Sequence, residues 1–414
     1  MLRFLTAGES HGRALVVILE GMPSGLEIDA DAIDRHMRRR QVGHGRGRRM
    51  SIESDRVQIL SGVRHGATIG SPIAILVPNR DWPNWEHTMA VEAQPPASAG
   101  GARRSKVTRP RPGHADLAGG LKHGFDDLRD VLERASARET AARVAAGSVA
   151  RVLLARLGVT LASHVTAIGG ARLSPGEPVP FDRIAAIPDD SPTRCVDDRV
   201  GQAMIAAIDL AKEAGETLGG VFEVVAHGVP PGLGSYVQWD RRLDGRLAQA
   251  LMSVPAVKAV SIGDGVEGSG RRGSEVHDPI VPASAADAGR PWGLARPTNH
   301  AGGLEGGVSN GEEIRVAGYM KPIATLMRPL ASVDLSDGSV AAAAIERSDT
   351  CAVPAAAVIG EAVVAIVLAD AFTEKFGGDS VTEMTASLEA WREGLLRRAR
   401  ARRPAVPDEG SGPL

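Results

Sequence analysis

The chain is 414 residues long, 43% hydrophobic and close to neutral, with 48 Lys+Arg against 50 Asp+Glu for a formal net charge of −2. That balance excludes the general basic excess of a non-specific nucleic-acid binder, and aromatics at 3% leave few stacking platforms for single strands. The two cysteines, Cys195 and Cys351, exclude a disulfide framework and lack the C-x-x-C spacing of a metal or redox site, so a reducing compartment is expected.

The N-terminal stretch MLRFLTAGESHG places charged and polar residues where a signal peptide needs an apolar core, which predicts a cytoplasmic location. Short apolar or β-branched runs bounded by Gly or Pro predict strands over 14–21, 57–63, 71–77 and 221–228. Helices are predicted over 29–40, 137–157, 202–214, 240–252 and 354–372. Several of these are too small-sided and apolar all round to be surface helices. The expected class is therefore α+β, a β-α-β sandwich with Ala-rich helices at the centre between antiparallel sheets. The last helix is interrupted by Glu361 and Asp370, so it reads as a buried helix and not as a membrane span.

From Arg35 to Ile52 the chain reads RHMRRRQVGHGRGRRMSI, with seven arginines, two histidines and no acidic residue. Three readings are open: a solvated surface helix and turn, a patch that neutralises nucleic-acid phosphates, or the pocket of an enzyme that acts on a small phosphorylated carboxylate. The long Pro/Gly/Trp-containing segment 79–113, with Arg103, Arg104, Lys106, Arg109 and Arg111, is expected to be a functional lid or mobile. In RPRPGHADLAGG, His114 lies two residues before Asp116 and beside arginines, a combination suited to an anion that needs a proton donor. A literal G-x-G-x-x-G at Gly268, Gly270 and Gly273 does not open a helix, because the next nine residues hold two prolines and no helical period. In ERSDTCAVP, Asp349 reads either as a helix N-cap or as a functional carboxylate. No Cys/His cluster has zinc spacing, so no metal is expected. The residues after Leu396 have no apolar period, which predicts a disordered tail over 396–414.

Residues 7–26 and 214–233 align without a gap, with nine identities in twenty positions. Echoes of RPGHADLAGGLKHG and of the Ala-rich helix over 137–157 follow in the same order in the second half. One domain over 1–395 is expected, made of two related halves, 1–200 and 201–395, about a pseudo-two-fold axis. Both copies keep Gly8/Gly215, Glu9/Glu216 and Gly12/Gly219, whereas His11 corresponds to Leu218. The turn does not require an imidazole, which favours a functional role for His11.

Together GESHG, RRRQVGHGRGRRM, TRPRPGHADLAGGLKHGFDDLRDVLERASARETAARVAAG, NHAGGLEGGVSNGEEI, MKPIATL and RSDTCAVPAA resemble the chorismate synthase family, in the family's order, from Met1 to about Gly378. Ala259, where the family commonly has Gly, and His123, where an aromatic is usual, depart from the pattern. The resemblance implies a lyase of the shikimate pathway that removes phosphate from 5-enolpyruvylshikimate 3-phosphate by 1,4-elimination to give chorismate, with reduced FMN as an obligatory cofactor. It implies that His11 protonates the departing phosphate, that His114 governs protonation of the reduced flavin, and that Asp349 takes the proton relayed through flavin N5. Substrate anions would lie on Arg40, Arg46, Arg49, Arg111, Arg138 and Arg347, with Ser10 and Ser136 as hydroxyl partners. The flavin would lie against Arg134, Ala135, Ser136, Pro255, Ala256, Gly306, Lys321, Pro322, Ile323, Ala324, Thr325 and Arg347. Arg40 and Arg46 match positions linked to NADP in members that reduce their own flavin; others rely on an external flavin reductase. A homotetramer is implied, with no nucleic-acid or membrane partner. An RNA-binding or scaffold protein on this fold, and an enzyme using flavin for another elimination, remain alternatives that FMN binding in the presence of substrate separates.

Overall fold

A computed structural model of the chain describes residues 1–47, 55–93, 106–174, 176, 178–283, 293–346 and 348–401, with only the backbone described at 400 and 401. The first half contains β1 (Arg3–Ala7), β2 (Ala14–Glu20), α1 (Ala30–Gln41), β3 (Gln58–Ile59), β4 (Ile73–Pro78), α2 (Asp116–His123), α3 (Arg129–Ala135) and α4 (Thr140–Arg156). Then follow β5 (Thr160–Ile168), β6 (Ala171–Arg172), α5 (Asp198–Ala214), β7 (Gly220–His227), α6 (Leu243–Met252), β8 (Val257–Ile262), β9 (Ile314–Met320), α7 (Val353–Phe376) and α8 (Val381–Ala401).

Two antiparallel sheets result, ordered β1-β2-β4-β3 and β8-β9-β7-β5-β6. The halves repeat one topology. β2-α1-β3-β4-α4 in the first matches β7-α6-β8-β9-α7 in the second, and in each the last strand pairs between the other two. β2 and β7 are the strands that the aligned sequences enter. Gly8 closes a strand with φ 102, while Gly215 caps α5 with φ 73, so one glycine position serves two backbone contexts that both need positive φ.

The helices α4 and α7 lie in the middle because their sequences offer no polar face. In α7, residues Val353 to Leu368 are buried except Val367, and burying a Val, Leu, Ile or Phe side chain is worth about 1.5–3 kcal/mol. The two helices approach very closely: a Cβ built on Gly147 would meet the Cα of Ala362 at 2.5 Å. Sheet and helix close up in the same way, with Gly360 of α7 facing the ring of Phe222 on β7.

The expected strands and helices are present with shifted ends. The strand predicted over 57–63 is divided: Gln58–Ile59 joins the first sheet, Gly62 turns back at φ 82 against Ile73, and Val63 begins a separate hairpin strand, Val63–Arg64. Helices α2 and α3 escape the periodicity reading, being short, with Gly119 and Gly120 inside α2. Helix α8 buries Met384, Leu388 and Leu395 and runs to Ala401, so 396–401 are helical where a disordered tail is expected. Residues 402–414 lie outside the described residues, as do Arg103 and Arg104. Of the family departures, His123 keeps a stacked contact with Phe125, and Ala259 sits at a register shift between β8 and β9.

Candidate functional site

The predicted residues fall into four groups, two beside turns of the two sheets and two on loops next to α2 and α7. The first surrounds the turn between β1 and β2. Ser10 N–H donates to the Glu133 carbonyl at 2.9 Å, and His11 N–H donates to Glu133 Oε2 at 2.8 Å. Nδ1 of His11 lies 2.9 Å from Glu133 Oε1, and its ring stacks on Trp85 with centroids 3.7 Å apart. Burial alone would raise the Glu133 carboxyl, but the hydrogen bonds from His11 and the charges of His11 and Arg129 hold it below the usual range. Trp85 brings the described start of the long segment, 79–93, onto the site, anchored by its Nε1–H on Asp81 at 2.9 Å.

Ser136 Oγ donates to Ser10 Oγ at 3.1 Å and accepts from Arg138 N–H, which starts the 3₁₀ turn Ala137–Glu139. The Arg138 guanidinium donates to Asp55 at 2.6 Å, and Arg40 lies 3.6 Å from the same oxygen while donating to Thr140 Oγ1 at 3.1 Å. Arg40, Arg138 and Asp55 are all buried. Arg134 braces β1, donating to the carbonyls of Gly8 and Thr6, with Ala135 closing α3 beyond it.

The second group is built on Asp116, which is fully buried. It takes Arg111 Nε at 2.8 Å and His114 Nδ1 at 2.6 Å, and Arg111 also donates to Thr325 Oγ1 at 3.0 Å. Burial pushes the Asp116 carboxyl up, yet the hydrogen bonds from His114 and Arg111 outweigh it and leave the group well below the usual carboxylate range. Lys321 Nζ donates to the Gly113 carbonyl at 2.6 Å, which joins this turn to the segment running through Pro322, Ile323 and Ala324.

The third group carries the predicted flavin turn. Lys321 N–H donates to the carbonyl of Ala256, which follows Pro255 with φ 69, a conformation few non-glycine residues adopt. Gly306 stands apart from this turn: it lies in the hairpin of Leu304–Glu305 and Val308–Ser309, where the Gly307 carbonyl accepts the Leu243 N–H at the start of α6, whereas Ala256 follows the end of that helix, and a Cβ built on Gly306 would meet nothing within 4 Å. The space beside it is open.

In the fourth group, Asp349 Oδ2 lies 2.5 Å from Arg46 Nη1, and Oδ1 accepts the Gly47 N–H at 2.7 Å. The cap of α7 is Ala352, so Asp349 holds the loop over 44–47 and caps no helix. Arg49 and Arg347 lie outside the described residues.

The second copy of the repeated turn acts as a support. Thr217, the counterpart of Ser10, donates to the Ile323 carbonyl at 2.8 Å, and Leu218, the counterpart of His11, donates its N–H to Thr350. One turn presents an imidazole; the other holds the two segments that carry Lys321–Thr325 and Asp349.

The arginine stretch is now accounted for among the described residues. Arg35 pairs with Asp189, Arg39 with Glu361, Arg40 with Asp55 and Arg46 with Asp349, leaving Arg38 on the exposed face of α1. Among the described arginines of the stretch, Arg39, Arg40 and Arg46 turn inward onto carboxylates, while Arg35 and Arg38 are exposed. Sequence reasoning missed the carboxylates: Glu133 and Asp55 stand far from their partners along the chain and belong to no recognisable spacing. Trp85 was visible only as part of a long loop.

Two histidines each braced by a buried carboxylate, with arginines paired beside them on an α+β scaffold, define an enzyme that handles anions and protons. The family model described as chorismate synthase matches residues 2–373. A chorismate synthase of Desulforudis audaxviator is 57% identical over 97% of this chain and 99% of its own length, and one of Mycobacterium avium is 54% identical over 96% and 98%. A crystal structure of a chorismate synthase superimposes with a TM-score of 0.75 at 40% identity, covering 96% of this chain and 98% of that one. The chain belongs to the chorismate synthase family and is a lyase of aromatic biosynthesis.

Proposed function

We propose that this chain converts 5-enolpyruvylshikimate 3-phosphate to chorismate by 1,4-elimination of phosphate, as a cytoplasmic homotetramer dependent on reduced FMN. The observation that carries the reading is the set Ser10, His11, Ser136, Arg40 and Arg138, in which a proton donor, two hydroxyls and two buried guanidiniums adjoin through short contacts. A phosphate with two carboxylates nearby needs that donor set.

The third group suits a flat ring. The positive-φ turn at Ala256, joined to Lys321 through its carbonyl, and the segment from Pro322 to Thr325 would hold the ring, with Lys321 as a nearby cation; Gly306 and Arg134 are the further flavin positions that the family resemblance implies. When bound, reduced FMN supplies transient electron density that helps expel phosphate and accepts the C6 hydrogen.

The chain's residues then manage charge and protons. His11, with Nδ1 against Glu133, delivers its proton from Nε2 to the departing phosphate. His114, held by Asp116 through Nδ1, would govern the protonation of the reduced flavin. Arg111, fixed in the same carboxylate, contributes positive charge. Asp349 receives a proton once a substrate anion competes with it for Arg46. Arg40 and Arg46 are the NADP-linked positions, and an external flavin reductase is the other route to reduced FMN. Anaerobic turnover with chemically reduced FMN, with and without NADPH, tests the reading: chorismate and phosphate should appear in equal amounts, and no phosphate release would reject it.

A further inference from the structure

We infer that Glu133 is the positioning residue for His11, fixing which ring nitrogen faces the substrate; the inference rests on the proposed role of His11. Each oxygen of Glu133 has a defined task. Oε2 accepts the backbone N–H of His11 at 2.8 Å, and Oε1 lies 2.9 Å from Nδ1, so one carboxylate grips both the turn and the ring. The α3 backbone adds a third hold, since the Glu133 carbonyl accepts Ser10 N–H at 2.9 Å.

A carboxylate can only accept, so Nδ1 keeps its proton in either charge state of the ring; the acid is the doubly protonated ring, which gives up the Nε2 proton and is left as the Nδ1–H form. The plane of the ring is fixed by Trp85, stacked at 21°. Other charged groups face the same unit. Arg129 lies 3.4 Å from Glu133 Oε1 and over the Trp85 ring, Asp81 holds the Trp85 indole, and Glu9 stands on the turn itself. In the second half, where the aligned turn carries Leu218, no imidazole needs orienting, and the Leu218 N–H goes to a backbone carbonyl.

Glu133→Gln separates this role from simple packing, because the amide has one accepting and one donating end. Its oxygen would keep the His11 N–H, and its NH₂ would face Nδ1 and force that nitrogen to accept, moving the ring proton to Nε2. Histidine ¹⁵N spectra of the full-length protein, assigned with His11→Asn, read the tautomer directly. The wild type should hold the Nδ1–H form, and Glu133→Gln should switch to Nε2–H with melting little changed. Turnover should fall by about a hundredfold with KM nearly constant, the scale for losing a general acid, because an Nδ1 held as an acceptor opposes the doubly protonated ring. If Glu133→Gln does not fold, Glu133→Asp and the wild-type spectrum still decide. An Nε2–H ring in the wild type, or one tautomer in both proteins, overturns the inference. Full activity of His11→Ala would instead reject the acid role and leave the tautomer assignment standing.

Discussion

Glu361→Gln should be among the most damaging conservative substitutions in this chain. Glu361 sits in the middle of apolar α7, yet it takes two bonds from Arg39 at 2.7 and 2.9 Å, one from Arg151 at 2.7 Å and one from Ser163 at 2.6 Å, with Arg194 at 3.7 Å. Burial would raise this carboxyl, but the charges of Arg39, Arg151 and Arg194 overcome it and hold the group well below the usual carboxylate range. The substitution leaves three guanidiniums with only Asp189 nearby and aims an NH₂ at groups that can only donate. Removing one partner of a buried ion pair costs about 3–5 kcal/mol, and the extra donor clash argues for at least the middle, about 4 kcal/mol. With an unfolding entropy of about 2.1 cal/mol/K per residue, 414 residues give about 0.9 kcal/mol/K, so Tm should drop by about 5 °C. Differential scanning calorimetry of the variant beside the parent measures it. Melting within about 1 °C of the parent would refute the claim that these charges depend on Glu361.

The same node predicts sensitivity to mild acid. His36 Nδ1 faces Arg39 Nη1 at 3.0 Å, and because a guanidinium only donates, the ring must be neutral. Burial, then the charge of Arg151 and of Arg39 and Arg35, lowers its pKa from 6.5 to about 3 against a smaller opposing pull from Glu361. The unfolded chain therefore takes the proton first, so stability is full above 6.5 and falls through that window toward 3, by up to about 1.4 kcal/mol per pH unit. Denaturant titrations at several pH values should show that slope flattened in His36→Asn. Asp349→Asn should still fold, because Asn accepts the Gly47 N–H, with some loss of melting temperature from the broken ion pair to Arg46, while turnover falls about a hundredfold; unchanged anaerobic turnover would remove Asp349 from the proton path. Arg46→Ala should raise KM for the phosphorylated substrate, and an unaltered KM would place the anion elsewhere.

Much of the frame was readable because its signals are local. A long, mostly apolar run marks α7, and a gapless repeat marks the turns before β2 and β7. His11 stood out because its counterpart is Leu218. What closed the site was not local: Glu133 lies 122 residues from His11, and Asp55 lies 83 from Arg138, so only the folded chain reveals these pairs. Glu361 shows the same limit from the other side. In the sequence it merely argued against a membrane span, whereas in three dimensions it gathers arginines from α1, α4 and the segment before α5. Asp349 looked like a cap because it precedes a helix, but α7 starts later and the side chain reaches across to Arg46 instead.

The near-touching backbones of α4 and α7 have a consequence for how this molecule can change over time. At Gly147 there is no room for even one carbon, and Ala362 opposite can shrink but not grow without prying the helices apart. Drift at that crossing is therefore a one-way street, open only toward smaller side chains that already stand at the limit. Because each helix closes one copy of the duplicated unit, the separation of the copies behaves as an inherited constant. New specificities on this scaffold must be written in the turns at the strand ends, where insertions and charge changes leave the spacing of the halves untouched.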